Sequence, residues 1–183
     1  MTLFRVRLPP IAPANWRDCA GLQALVIWDE RPAPVQLALC GRTDLLIPSA
    51  MSEASADLGG GLCRLSQHLA PRGRMLFSTL GCDTFSEWRQ VHTEQGLSCG
   101  AHHYPSANDF PWPDGFSHQL HAEWVAQFHA SGLDFVRSLK AIGDREPTSG
   151  YQPLAPGALR RLLASLGGGF SVTYHILYGE IVR

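Results

Sequence analysis

The residues best suited to chemistry in this 183-residue chain lie in its last third. Arg137 and Lys140 stand three apart in a segment that ends at Gly143, so a helix there presents both near its last turn. Cations are favoured at that end by the helix dipole. They are either solvated residues capping the helix or a fixed basic patch that orients a carboxylate or meets an acidic partner. Tyr174 and His175 are neighbours within a long apolar pattern, so on a strand one faces the core and the other its reverse. Tyr174 is then either a locally satisfied core tyrosine or a hydrogen-bond donor to a substrate carboxylate.

Other patterns invite a function and support it less well. Gly96-Leu97-Ser98-Cys99-Gly100 fits the Gly-x-Ser-x-Gly elbow of serine hydrolases, with Asp109 or Asp114 and then His175 in the right chain order. An elbow needs a buried strand before the serine and a helix after it. Val91–Gln95 is too polar for the strand, and Ala101–Pro105 starts no convincing helix. Asp57-Leu58-Gly59-Gly60-Gly61 resembles a nucleotide loop by letter, but no apolar strand precedes it, so it reads as a glycine-rich helix start. The eight histidines contain no His-x-x-x-His step, and the five cysteines contain no CxxC pair. We therefore expect no metal site, and buried reduced thiols. Phe110, Trp112 and Phe116 either line an acyl or carboxylate pocket or pack as a lid over a sheet.

The elements that must position these groups follow from periodicity and punctuation. Short strands are expected at Leu22–Trp28, Val35–Leu39 and Asp44–Pro48, and a helix on the Leu58, Leu62, Leu65, Leu69 spacing. A strand over Arg74–Thr79 and a helix over Thr84–His92 come next, with Thr84 placed to cap it. Gln119–His129 alternates as a strand, with Leu120, Ala122, Trp124, Ala126 and Phe128 on one face. Helices over Ser131–Ile142 and Ala155–Leu166 follow, each closed by glycine, and Phe170–Val182 is a final strand. The late order of strand, helix, helix, strand indicates α/β organisation.

Composition narrows the function class. Fifteen Lys and Arg against sixteen Asp and Glu leave a net charge of -1, without the basic field that nucleic acid or a membrane surface would attract. No apolar run approaches a membrane span, and no signal-peptide pattern opens the chain. A cytoplasmic chain of one domain over 1–183 is expected.

Three segments carry a family resemblance. Leu69-Ala70-Pro71-Arg72-Gly73 followed by Arg74-Met75-Leu76-Phe77-Ser78-Thr79-Leu80-Gly81 resembles the turn and fifth strand of class I S-adenosylmethionine-dependent methyltransferases, with Arg72 in place of a glycine. Val136-Arg137-Ser138-Leu139-Lys140-Ala141-Ile142-Gly143 and Val172-Thr173-Tyr174-His175-Ile176-Leu177-Tyr178-Gly179-Glu180-Ile181 resemble the C-terminal third of the malonyl-acyl-carrier-protein O-methyltransferases of biotin synthesis. The resemblance covers residues 44–183 and leaves 1–43 as a diverged N-terminal segment. It implies a Rossmann-like sheet with an antiparallel C-terminal strand, and methylation of a malonyl thioester's free carboxyl. Arg137, Lys140, Tyr174 and His175 become substrate-binding candidates. Methyl transfer rests mainly on positioning a reactive sulfonium, so no general base is assigned.

The departures bear on catalysis. No strand with a glycine-rich cofactor turn precedes Leu22, so the fold is expected to be truncated or diverged, lacking its opening βαβ half. Asp29 or Glu30, after Leu25-Val26-Ile27-Trp28, is the candidate for the ribose hydroxyls of S-adenosylmethionine. Two expectations follow. One is a non-catalytic relative that binds an acyl carrier protein or a complete methyltransferase subunit. The other is an active methyltransferase with an unusual cofactor site. A serine esterase using Ser98 stands outside both.

Overall fold

A computed structural model of the chain describes residues 24–26, 44–47, 57–67, 69–141 and 150–183. In chain order its elements are β1 (Ala24–Val26), β2 (Asp44–Ile47), α1 (Leu58–Ser66), β3 (Arg74–Leu80), α2 (Ser86–Glu94), β4 (Ser117–His129), α3 (Gly132–Ala141), α4 (Pro156–Ser165) and β5 (Phe170–Val182). The strands form one sheet in the order β1-β2-β3-β5-β4. β1, β2 and β3 run parallel, with Ala24 opposite Asp44 and Leu45 opposite Met75. β5 runs against β3: the Arg183 N–H bonds the Gly73 carbonyl at 3.1 Å, while the Gly81 N–H bonds the His175 carbonyl at 2.7 Å. β4 runs against β5, since His121 lies beside Tyr178 and Trp124 beside His175. The chain is thus a mixed α/β protein with an antiparallel final strand. The expected strand at Val35–Leu39, the end of the expected helix at Ile142 and Gly143, and Asp29 and Glu30 lie outside the described residues.

Local chemistry accounts for these elements. Asp57 caps α1 by accepting the Gly60 N–H at 3.0 Å, so Gly59–Gly61 is the first turn of a helix, as its letters and surroundings suggest. Before β3 the chain turns at Pro71-Arg72-Gly73, and Arg72 takes a φ of 65°. That left-handed conformation suits glycine, which explains why the resembling motif carries glycine there, and arginine holds it under strain. The helix after β3 differs from expectation at its start. It begins at Ser86, and its N-cap is Phe85 at φ 61° with no side-chain cap. Phe85 is held there by its N–H to the Thr173 carbonyl at 2.8 Å.

The described residues up to Ser78, with Pro111–His121 and Tyr178–Arg183, form one compact unit. Met75, Leu76, Phe77, Leu62 and Ile181 are buried there, and Trp112 packs edge-on against Phe77 at 6.1 Å and stacks on His118 at 4.3 Å. A Cβ at Gly179 would meet the Phe77 ring at 2.1 Å, so glycine lets β5 pass that ring. Thr79–Phe110 and Ala122–Leu177 form the second unit. Its core is Phe85, Trp88, Phe135, Leu162, Phe170 and Val172, with the rings of Phe85 and Trp88 edge-on to Phe135 at 5.4 and 5.3 Å. Such edge contacts each add about 0.5–1.5 kcal/mol beyond the area they bury.

Candidate functional site

The second unit gathers its chemistry where the turn after β3 meets the middle of β5. Thr84 is buried completely, and its Oγ1 donates to the His175 carbonyl at 3.0 Å and accepts the His175 N–H at 3.1 Å. The expected helix cap is therefore corrected. Thr84 spends its hydroxyl on a strand 91 residues away, because there it meets two β5 backbone groups at once. Gly81 makes the approach possible, since a Cβ there would sit 2.5 Å from His175 Nδ1. Glu87 ties α2 to the same strand by accepting the Thr173 N–H at 2.9 Å and the Thr173 hydroxyl. Burial pushes the Glu87 carboxyl up, but these bonds outweigh it and hold it below the usual carboxylate value.

His175 is the centre of this group and is only 2% exposed. Its Nδ1 accepts the Asp83 N–H at 3.3 Å, which assigns the ring proton to Nε2. That Nε2 is buried and has no hydrogen-bond partner. The indole of Trp124 stacks on the imidazole at 4.5 Å and 8°, and its Nε1 donates to Asp83 Oδ2 at 3.0 Å. Asp83 Oδ2 lies 3.6 Å from His175 Nδ1, and Cys82 Sγ donates to Asp83 Oδ1 at 3.6 Å. Burial lowers the His175 pKa, with the Asp83 charge opposing it, so the ring is neutral near pH 7. Burial, then the charge of Asp83, raises the Cys82 thiol, so it is protonated and a poor nucleophile. The arrangement offers a fixed neutral imidazole beside a carboxylate and a thiol.

The other candidates take separate positions. Tyr174 is half-buried against the core, edge-on to Phe85 at 5.2 Å, so it and His175 take the opposite faces expected of neighbours on a strand. Arg137 is on the outer side of α3, 69% exposed and 3.8 Å from Asp134, while Val136 and Leu139 pack on the core. Lys140 lies in the last turn of the same helix. Ser98 is exposed in a stretch with no strand before it and no helix after it, the reverse of what a nucleophile elbow needs. The described cysteines correct a second expectation: Cys63 and Cys82 are exposed and Cys99 is half-buried, because Cys63 is on the outward side of α1 and Cys82 on an open turn, while Cys19 and Cys40 lie outside the described residues. On β4 the alternation is a strand as expected, yet Trp124 and Phe128 on its apolar face are 56% and 68% exposed.

Cys82, Asp83 and Trp124 were not among the sequence candidates. Cys82 and Asp83 follow a generic strand, and their partner His175 is 92 residues beyond Asp83. Only the close-approach glycine at position 81 hints that something large sits against this turn.

No protein-family model matches the chain. Curated proteins do. A malonyl-[acyl-carrier protein] O-methyltransferase of Magnetococcus marinus is 34% identical over 171 residues, 91% of this chain and 62% of that protein. The biotin biosynthesis bifunctional protein BioCD of Bordetella avium is 36% identical over 152 residues, 82% of this chain and 32% of that protein. A malonyl-[acyl-carrier protein] O-methyltransferase of Serratia marcescens is 28% identical over 149 residues, 76% of this chain and 57% of that protein. The chain thus spans less than two thirds of the length of each. By sequence, this chain is a relative of the malonyl-[acyl-carrier protein] O-methyltransferases.

Proposed function

We propose that the chain is a non-catalytic or partner-dependent member of this methyltransferase kindred, acting in biotin synthesis in the cytoplasm. It binds an acyl carrier protein carrying a malonyl group, or a complete methyltransferase subunit, on a diverged Rossmann-like sheet that forms one domain. The observation that carries the reading is the 34% identity along 91% of the chain to a protein with that named substrate. Two features favour binding over catalysis. The glycine run after Asp57, the nearest in letters to a cofactor loop, is taken up in the first turn of α1. Arg137 stands exposed on α3 with Lys140 one turn on, which suits an acidic partner or a carboxylate. Tyr174 and His175 on β5 are the remaining substrate-side candidates.

A second reading has its own support, since the names of the relatives describe O-methyltransferases. In it the chain is active, S-adenosylmethionine is its cofactor, and Asp29 or Glu30 holds the ribose. The protein's task is then to place the malonyl carboxylate in line with the methyl group, which needs no base of its own.

A thermal-shift titration with S-adenosylmethionine and S-adenosylhomocysteine separates the two. A ligand at one hundred times its dissociation constant adds about 2.7 kcal/mol to the folded state. For a chain of this size that is a rise of roughly 5–10 °C in Tm. We expect no shift, and micromolar binding by calorimetry would overturn the non-catalytic reading.

A further inference from the structure

We infer that Cys82, Asp83 and His175 form a binding site for a divalent cation of the zinc class, with one sulfur, one oxygen and one nitrogen ligand. Their ligand atoms all lie within 4.8 Å of one another, the one such group among the described residues. Zinc bonds of about 2.0–2.3 Å in tetrahedral array put ligand atoms roughly 3.3–3.8 Å apart. Each Asp83 oxygen is already in that range of one other ligand, Oδ1 at 3.6 Å from Cys82 Sγ and Oδ2 at 3.6 Å from His175 Nδ1, so a small turn of the carboxylate brings a single oxygen between the two.

The electronic arrangement fits a cation. His175 Nδ1 carries the lone pair, now engaged by the Asp83 N–H in a long bond of 3.3 Å that an ion would displace, and it faces a carboxylate oxygen at 3.6 Å. Two electron-rich atoms held that close gain from a positive charge between them. The surroundings also fix the ligands in place. Trp124 stacks on the imidazole and donates its N–H to Asp83 Oδ2, and Thr84 and Gly81 hold the β5 backbone at His175. Outer contacts of this kind orient metal ligands and raise affinity. Cys82 and Asp83 are exposed, so the ion has a way in and a fourth position open to water.

Binding is an exchange that balances. The S–H bond of Cys82 breaks, its proton leaves to solvent, and a thiolate–metal bond forms. His175 Nδ1 gives up the Asp83 N–H it accepts, leaving that N–H to solvent, and Asp83 gives up the Cys82 S–H, so each offers the ion a lone pair. One proton is released per ion, so affinity falls steadily as pH is lowered. The bound ion would pin the turn after β3 to β5.

The test uses the full chain, freed of metal by a chelator and titrated with zinc and with cobalt(II). We expect one ion per chain by calorimetry, and with cobalt a thiolate-to-metal charge-transfer band. Cys82→Ser should remove that band, and Cys82→Ser and Asp83→Asn should each weaken zinc at least tenfold. Both positions are exposed, so neither variant threatens the fold. Cys63→Ser should leave band and affinity unchanged. Failure of zinc to bind at millimolar concentration, or equal binding by Cys82→Ser and the unaltered chain, would overturn the site. Neither result bears on the carrier-protein reading.

Discussion

Replacing Thr84 with valine keeps the side-chain volume and removes only the hydroxyl, which isolates what that hydroxyl does. In the folded chain Oγ1 accepts the His175 N–H at 3.1 Å and donates to the His175 carbonyl at 3.0 Å. The carbonyl keeps a second donor, Gly81 N–H at 2.7 Å, so its loss is one net hydrogen bond, about 0.5–1.5 kcal/mol. The His175 N–H is left buried without an acceptor, which costs about 1–3 kcal/mol. Thr84→Val should therefore destabilise the chain by roughly 2–4 kcal/mol, and lower Tm by roughly 4–16 °C. Thr84→Ser keeps the hydroxyl and loses one buried methyl, so it should cost only about 1 kcal/mol. Urea unfolding of the three proteins, followed by circular dichroism, measures both differences. Had Thr84 acted as the helix cap its position suggests, valine would cost about 1 kcal/mol, no more than serine's loss of a methyl. Equal destabilisation by valine and serine would refute the account of how β5 is held.

Other outcomes follow from the same structure. Arg137→Glu with Lys140→Glu should weaken binding to a malonyl-loaded acyl carrier protein, most clearly as a slower association rate at low salt. Folding should change by less than about 1 kcal/mol, because the Arg137–Asp134 pair is exposed. Arg72→Gly should leave stability unchanged or raise it by up to about 1 kcal/mol, since relief of the left-handed strain at φ 65° offsets the added chain entropy; clear destabilisation would contradict the strain. Burial holds the His92 pKa below its ordinary 6.5, so as pH falls through 6.5 the unfolded chain takes up a proton before the folded one does. Stability should then fall with pH from 6.5 downward, by at most about 1.4 kcal/mol per pH unit from this group, and His92→Gln should flatten that part of the profile.

Much of the fold is legible in the sequence because its signals are local. Phe170–Val182 and the two helices before it fall where periodicity places them, since each buries a continuous apolar face. The glycine run after Asp57 reads correctly as a helix start, because a capping acid and the leucine spacing agree. What escapes the sequence depends on distant partners. Thr84 looks like a cap from its neighbours alone, yet two groups of β5 compete for its hydroxyl and win. Cys82 and Asp83 carry no spacing signal, because their third member is supplied by another strand. Trp124 belongs to an apolar alternation that suggests burial, but it lies exposed over His175 on β4, which ends the sheet. The family resemblance rests on short strings, whereas the likeness to the Magnetococcus marinus protein runs along 91% of the chain.

The function proposed for this chain is recognition of a malonyl group carried on an acyl carrier protein. Calorimetric titration of the full chain with malonyl-loaded acyl carrier protein at low ionic strength, without S-adenosylmethionine, tests it most directly. The account predicts saturable one-to-one binding that weakens as salt is raised and is reduced in the doubly charge-reversed variant. Absence of binding at high micromolar carrier protein, or binding indifferent to salt and to both substitutions, would contradict it.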